Sequence, residues 1–221
     1  MTKKKFNFLH RNGLSAVFLL FALLSLSGQI YTGWKVHNEF LQEHHVAAQP
    51  VSKYLSSGHF LQATFENWES EFLQMALFVI LTIFLRQEGS SESKKCGEPA
   101  IDEADLQPKK DSPWAVKKGG SWLAFYKHSL SIVLFLLFIF SFLMHWYGSW
   151  LDTTEKDLLE HQPTESLLSY LSNSRLWFES FQNWQSEFLS IFAIIYLSIY
   201  LRQIGSSQSK PVNAAHTETG E

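Results

Sequence analysis

Phe65-Glu66-Asn67-Trp68-Glu69-Ser70-Glu71-Phe72-Leu73 recurs 116 residues later as Phe181-Gln182-Asn183-Trp184-Gln185-Ser186-Glu187-Phe188-Leu189. Leu85-Arg86-Gln87 and Gly89-Ser90-Ser91 return at the same shift as Leu201-Arg202-Gln203 and Gly205-Ser206-Ser207. Across 65–94 against 181–210, 17 of 30 positions are identical. A duplication of fixed period is an architectural statement: the chain is one supersecondary unit written twice.

Each copy opens on an apolar run. Leu14 to Tyr31 carries no charge, and Ser129 to Trp146 is its counterpart. Each is close to the ~20 residues that a helix needs to cross a bilayer core. Phe72–Leu85 and Phe188–Leu201 are as apolar but shorter, and reach membrane length only if the repeated polar motif forms the first turns of the same helix. The run after Lys3-Lys4-Lys5 has the outline of a signal peptide. Its counterpart lies in mid-chain, however, and Leu14, Ser15, Val17, Leu20, Ser25, Tyr31 and Trp34 match Leu130, Ser131, Val133, Leu136, Ser141, Tyr147 and Trp150. The expectation is a retained span.

The fold class expected is therefore an all-α membrane protein, with four transmembrane helices as two tandem parallel two-helix repeats. The first repeat is 1–91, with spans about 14–34 and 67–87; the second is 119–207, with spans about 129–150 and 183–203. Residues 92–118, rich in Lys, Glu, Asp, Ser and Pro, read as a disordered linker, and 208–221 as a disordered tail. Short interfacial helices are expected in the outer loops at 50–55 and 163–171, and Ser57 and Asn173 are N-cap candidates for the helices that follow. The N-terminus, linker and tail hold 14 of the 18 Lys and Arg, which places both termini in the cytoplasm of a multi-pass inner-membrane protein.

Composition excludes several classes. A net charge of −3 offers no bulk attraction for nucleic acid. The single cysteine, Cys96, rules out an internal disulfide and a CxxC site. There is no Gly-rich phosphate loop, no GxSxG elbow and no Cys–His pair, so no enzyme is expected. His59, His145 and His161 lie near Glu66 and Glu69 on the outer side, but without HxxxH or HExxH spacing neither a metal nor any other cofactor is expected.

One constellation carries chemistry. Asn67, Ser70, Glu71 and Gln74 are spaced i, i+3, i+4, i+7 on one helical stripe, which Thr82 continues. The second copy presents Asn183, Ser186, Glu187, Ser190 and Ser198. Glu71 and Glu187 are the acids that both copies keep, and a carboxylate at a hydrocarbon slab needs a partner or water. The stripes read either as helix-packing contacts or as the lining of an ion path. Arg86 and Gly89, with Arg202 and Gly205, read as helix C-caps.

The stretches 66–74 and 85–94, with Arg11-Asn12-Gly13-Leu14-Ser15, resemble a family of bacterial four-helix integral membrane proteins of unknown function. The resemblance implies an inner-membrane protein and carries over no activity. The expected role is a non-enzymatic envelope scaffold or interaction protein, with the lipid bilayer and a second copy or another envelope protein as partners. The alternative is a small transporter or channel using Glu71 and Glu187.

Overall fold

The computed structural model describes residues 8–97 and 108–220. Lys3 to Lys5, residues 98–107 of the expected linker and Glu221 lie outside them. The described residues are helical, with no strand. In chain order the helices are α1 (Phe8–Glu43), α2 (Val51–Tyr54), α3 (Gly58–Phe84), α4 (Trp114–Lys118), α5 (Gly120–Lys127), α6 (Ser129–Leu159), α7 (Leu167–Tyr170) and α8 (Ser174–Tyr200). Two are long and apolar enough to cross a membrane: Arg11–Glu43 of α1, and α6. Leu14, Phe18, Leu19 and Leu24 on α1 are exposed, as are Leu130, Leu136 and Phe140 on α6. Apolar faces of that extent need a non-aqueous neighbour.

The starts of α3 and α8 are capped. Ser57 Oγ accepts from the Phe60 amide at 3.2 Å, and Asn173 Oδ1 accepts from the Arg175 amide at 2.9 Å. These bonds satisfy amides that a helix start leaves without an intrahelical partner. α2 and α7 occupy the loops where short helices are expected.

The contacts group the described residues into two compact units, and each unit draws on both sequence repeats. Of the described residues, one comprises 8–64 with 146–171, the other 65–97 and 108–145 with 172–220. In the first unit, equivalent devices recur 116 positions apart. The Trp34 indole donates to Gln49 O at 2.6 Å, and the Trp150 indole to Glu165 O at 2.8 Å. His45 (φ 61°) and His161 (φ 59°) both turn the chain in the left-handed region just after a helix. Tyr54 and Tyr170 are both buried; Tyr54 shares a hydrogen bond with His59 Nδ1, while the Tyr170 hydroxyl meets Ser149 and Thr153. Burial, and then the charge of Asp152, push the Tyr54 phenol up to about 12, so it stays neutral.

Two glycines let backbones meet in that unit. A Cβ on Gly58 would lie 2.1 Å from the Asp152 amide nitrogen, and one on Gly148 would lie 2.5 Å from that of Gln62. Small residues at a crossing are how helices approach closely where no hydrophobic force drives them together.

In the second unit, each half closes in the same way. Arg86 Nη1 donates to the carbonyls of Thr82, Ile83 and Leu85 at 2.9, 3.1 and 2.9 Å. Arg202 Nη1 does the same for Ser198, Ile199 and Leu201 at 3.1, 3.1 and 2.8 Å. Gly89 and Gly205 have φ of 84° and 82°, but they are not helix caps: α3 stops at Phe84 and α8 at Tyr200, where Leu201 is already extended. They close the turns in which Ser90 and Ser206 donate back to Gln87 O and Gln203 O, at the position where such a turn demands positive φ.

Two of the stretches read from composition as linker and tail carry local structure. Residues 114–118 of the linker form α4. In the tail, Lys210, almost fully buried, donates to Ala215 O, His216 O and Glu218 O at 3.1, 3.0 and 2.8 Å. The Gly89 amide then donates to Thr219 Oγ1 at 2.8 Å, tying the tail to the turn after α3.

Gly148→Ala should lower the unfolding free energy by about 1 to 3 kcal/mol, the usual cost of forcing volume into a closed contact. Gly28→Ala, with nothing within 4 Å of the added carbon, should leave the melting temperature unchanged or higher. Thermal unfolding of the detergent-solubilised variants checks both.

Candidate functional site

The expected stripe divides once folded. Ser70 and Gln74 are buried, Asn67 and Glu71 are exposed, Asn183 and Glu187 are half-buried, and Ser186 and Ser190 are exposed. The serines turn inward on their own helices. Ser70 donates to Asn67 O, Ser186 to Asn183 O and Ser190 to Glu187 O, each at 2.8 Å. Asn183 donates to Glu179 O at 3.1 Å.

The centre of the second unit lies on other residues. Glu69 on α3 and His145 on α6 are both 0% exposed. His145 Nδ1 lies 2.6 Å from Glu69 Oε2, and the Trp184 indole of α8 donates to Glu69 Oε1 at 2.8 Å. Each oxygen of this dry carboxylate therefore has its own partner, which is the condition for burying it. The other ring nitrogen of His145, Nε2, lies 3.2 Å from Glu179 Oε2 and 4.0 Å from Glu66 Oε2. Arg175, one turn before Glu179, holds its second oxygen through Nε at 2.8 Å. Phe138 and Phe181 flank the Trp184 ring at 6.5 and 5.5 Å.

Helical spacing explains the convergence. Glu66 and Glu69 are i, i+3 on α3, and Arg175 and Glu179 are i, i+4 on α8, so each pair shares a face. His145 meets both pairs from α6. A cavity of about 550 Å³ lies farther along α3 and α8, with apolar walls including Leu77, Phe78, Phe188 and Phe192. Gln74, Thr82, Arg86 and Glu92 supply its polar lining.

No metal was expected. The structure nonetheless brings one ligand atom from each of Glu66, His145 and Glu179 within 4.8 Å of one another. The sequence places His145 with Glu66 and Glu69 on the outer side but offers no HxxxH or HExxH spacing, and it gives no sign that Glu179 and Arg175 join them. At the 116-residue shift, Glu66 and Glu69 face Gln182 and Gln185, while His145, Glu179 and Arg175 face Gln29, Ala63 and His59. The residues of this centre are ones at which the two copies differ, not ones that both share.

Fold and site together define an all-helical protein with two helices apolar enough to cross a membrane and a buried histidine–carboxylate centre. The chain belongs to the family described as Domain of unknown function (DUF6766), whose model matches residues 5–221. No curated protein and no solved structure matches it.

Glu69→Gln should cost about 1.5 to 3 kcal/mol of stability, the range for hydrogen bonds to a charged group. Glu71→Gln, exposed on the same helix, should stay within about 0.5 kcal/mol of wild type. Denaturant unfolding in detergent, followed by tryptophan fluorescence, measures both; equal costs would contradict the burial of Glu69.

Proposed function

We propose that the chain is a non-enzymatic, four-span membrane protein of the bacterial inner membrane that moves a small cation through its second unit. α3 and α8 join the two apolar helices as spans, and the linker and both termini face the cytoplasm. The observation that carries this reading is the buried charge cluster around His145, since ionisable groups at membrane depth mark ion or substrate paths by default. The line of polar groups supports it. From Glu66 to Thr82, α3 runs about 24 Å at 1.5 Å per residue, most of a ~30 Å hydrocarbon layer. Glu66, Glu69, Ser70, Glu71 and Gln74 stand along the first half of that length, about 12 Å, and Thr82 at its end, with Glu179 and Glu187 on α8.

The second reading, an envelope scaffold, draws support from the exposed aromatic surface of the same unit, where Trp68, Trp177, Phe178 and Phe181 face outward. It treats the charged centre as a lock between helices and expects no flux.

Topology is checked with the native thiol, since Cys96 is exposed. A membrane-impermeant maleimide should leave Cys96 unlabelled in intact cells and label it in inside-out vesicles. The opposite pattern reverses the orientation.

Transport is checked with purified protein in liposomes. An imposed negative-inside potential, followed with a potential-sensitive dye, should collapse when protons, sodium or manganese(II) are offered outside. Glu179→Gln should slow the effective cation about tenfold, the scale of loss when a site's ligand shell is disturbed. Wild-type vesicles no leakier than protein-free ones for all three cations would leave the scaffold reading.

A further inference from the structure

We infer that Glu66, His145 Nε2 and Glu179 form a binding site for one divalent first-row transition cation of the zinc(II) or manganese(II) kind. The inference rests on reading the His145 centre as an ion site, and it names the ion class and the ligands. Among the described residues, no other three His, Cys, Asp or Glu side chains bring ligand atoms so close together.

The donor set suits this class of ion. One imidazole nitrogen and two carboxylate oxygens favour borderline-hard dications over soft ones, and the two carboxylates balance the double charge. Ligands about 2.0 to 2.2 Å from a shared ion lie roughly 3 to 3.5 Å apart. The His145–Glu179 pair already stands at 3.2 Å. The His145–Glu66 pair stands at 4.0 Å, and Glu66, the most exposed of the three, closes that gap by a side-chain rotation.

The surroundings are those of a prepared site rather than a chance meeting of acids. Glu69 Oε2, 2.6 Å from Nδ1, fixes the His145 ring so that Nε2 faces Glu66 and Glu179, where a bound ion would take the place of the Nε2 proton. A carboxylate behind a histidine ligand is the usual way of fixing ring orientation and raising ligand basicity. Trp184 in turn fixes Glu69, and Arg175 occupies Glu179 Oε1, leaving Oε2 to face His145. Three protein ligands leave positions on the ion for water or an exchanging group, as a site through which an ion passes requires.

The test is titration of chelator-treated, detergent-purified protein with zinc chloride and manganese(II) chloride by calorimetry, with bound metal counted by elemental analysis. One ion per chain is expected, with affinity down about tenfold or more in Glu66→Gln and Glu179→Gln, and down 10- to 100-fold in Glu69→Gln through lost orientation. Circular dichroism establishes that each variant is folded, and Glu66→Gln, at the rim, is the variant least exposed to a folding defect. No binding by wild type, or undiminished binding in folded Glu66→Gln and Glu179→Gln, overturns the inference. Metal bound at one per chain without liposome flux keeps the site and removes the transport reading; flux without metal binding does the reverse.

Discussion

A carboxylate with no exposed surface is among the costliest groups a folded chain can carry, and Glu69 sets the terms for the unit around it. Its two oxygens need two donors at fixed places. His145 provides one from α6 and Trp184 the other from α8, so one side chain of α3 registers three helices at once. The constraint then propagates. Trp184 must be held, and Phe138 and Phe181 hold it. His145 must present its second nitrogen to something polar, and Glu179 stands there, itself braced by Arg175. The cluster is connected throughout, which is the condition under which a buried polar network rigidifies rather than weakens its surroundings.

The duplicated sequence divides its labour between agreement and difference. Where the copies agree, they build frame: the Trp34 and Trp150 bonds to loop carbonyls, the buried Tyr54 and Tyr170, and the Arg86 and Arg202 clamps on the last helical carbonyls. Where they differ, they build chemistry. Every ionisable member of the His145 centre faces an uncharged or differently charged residue in the other copy.

That division explains what was legible. Long apolar runs, cap residues and loop helices are local features, readable from periodicity and from the side chains that satisfy helix ends. α1, α6, the Ser57 and Asn173 caps, and α2 and α7 were accordingly visible in advance. The hydrogen bonds of the tail were not, because one buried ammonium, Lys210, gathers carbonyls from residues whose composition carries no periodic signal. Nor was the centre, because Glu69 and His145 lie 76 residues apart and only tertiary packing joins them. The stripe of Asn67, Ser70, Glu71 and Gln74 lies on α3, but the face the helix buries runs through Glu69, Ser70, Leu73 and Gln74 and leaves Asn67 and Glu71 exposed.

The pairing of Glu69 from the first copy with His145, Glu179 and Trp184 from the second has a genetic consequence. Two identical half-length polypeptides could associate and reproduce the shared frame, but they could not divide these unlike roles between them. Joining the copies in one reading frame guarantees a one-to-one supply of dissimilar halves. The polypeptide is in effect a heterodimer whose subunits cannot be separated, and its asymmetry is inherited through a single gene.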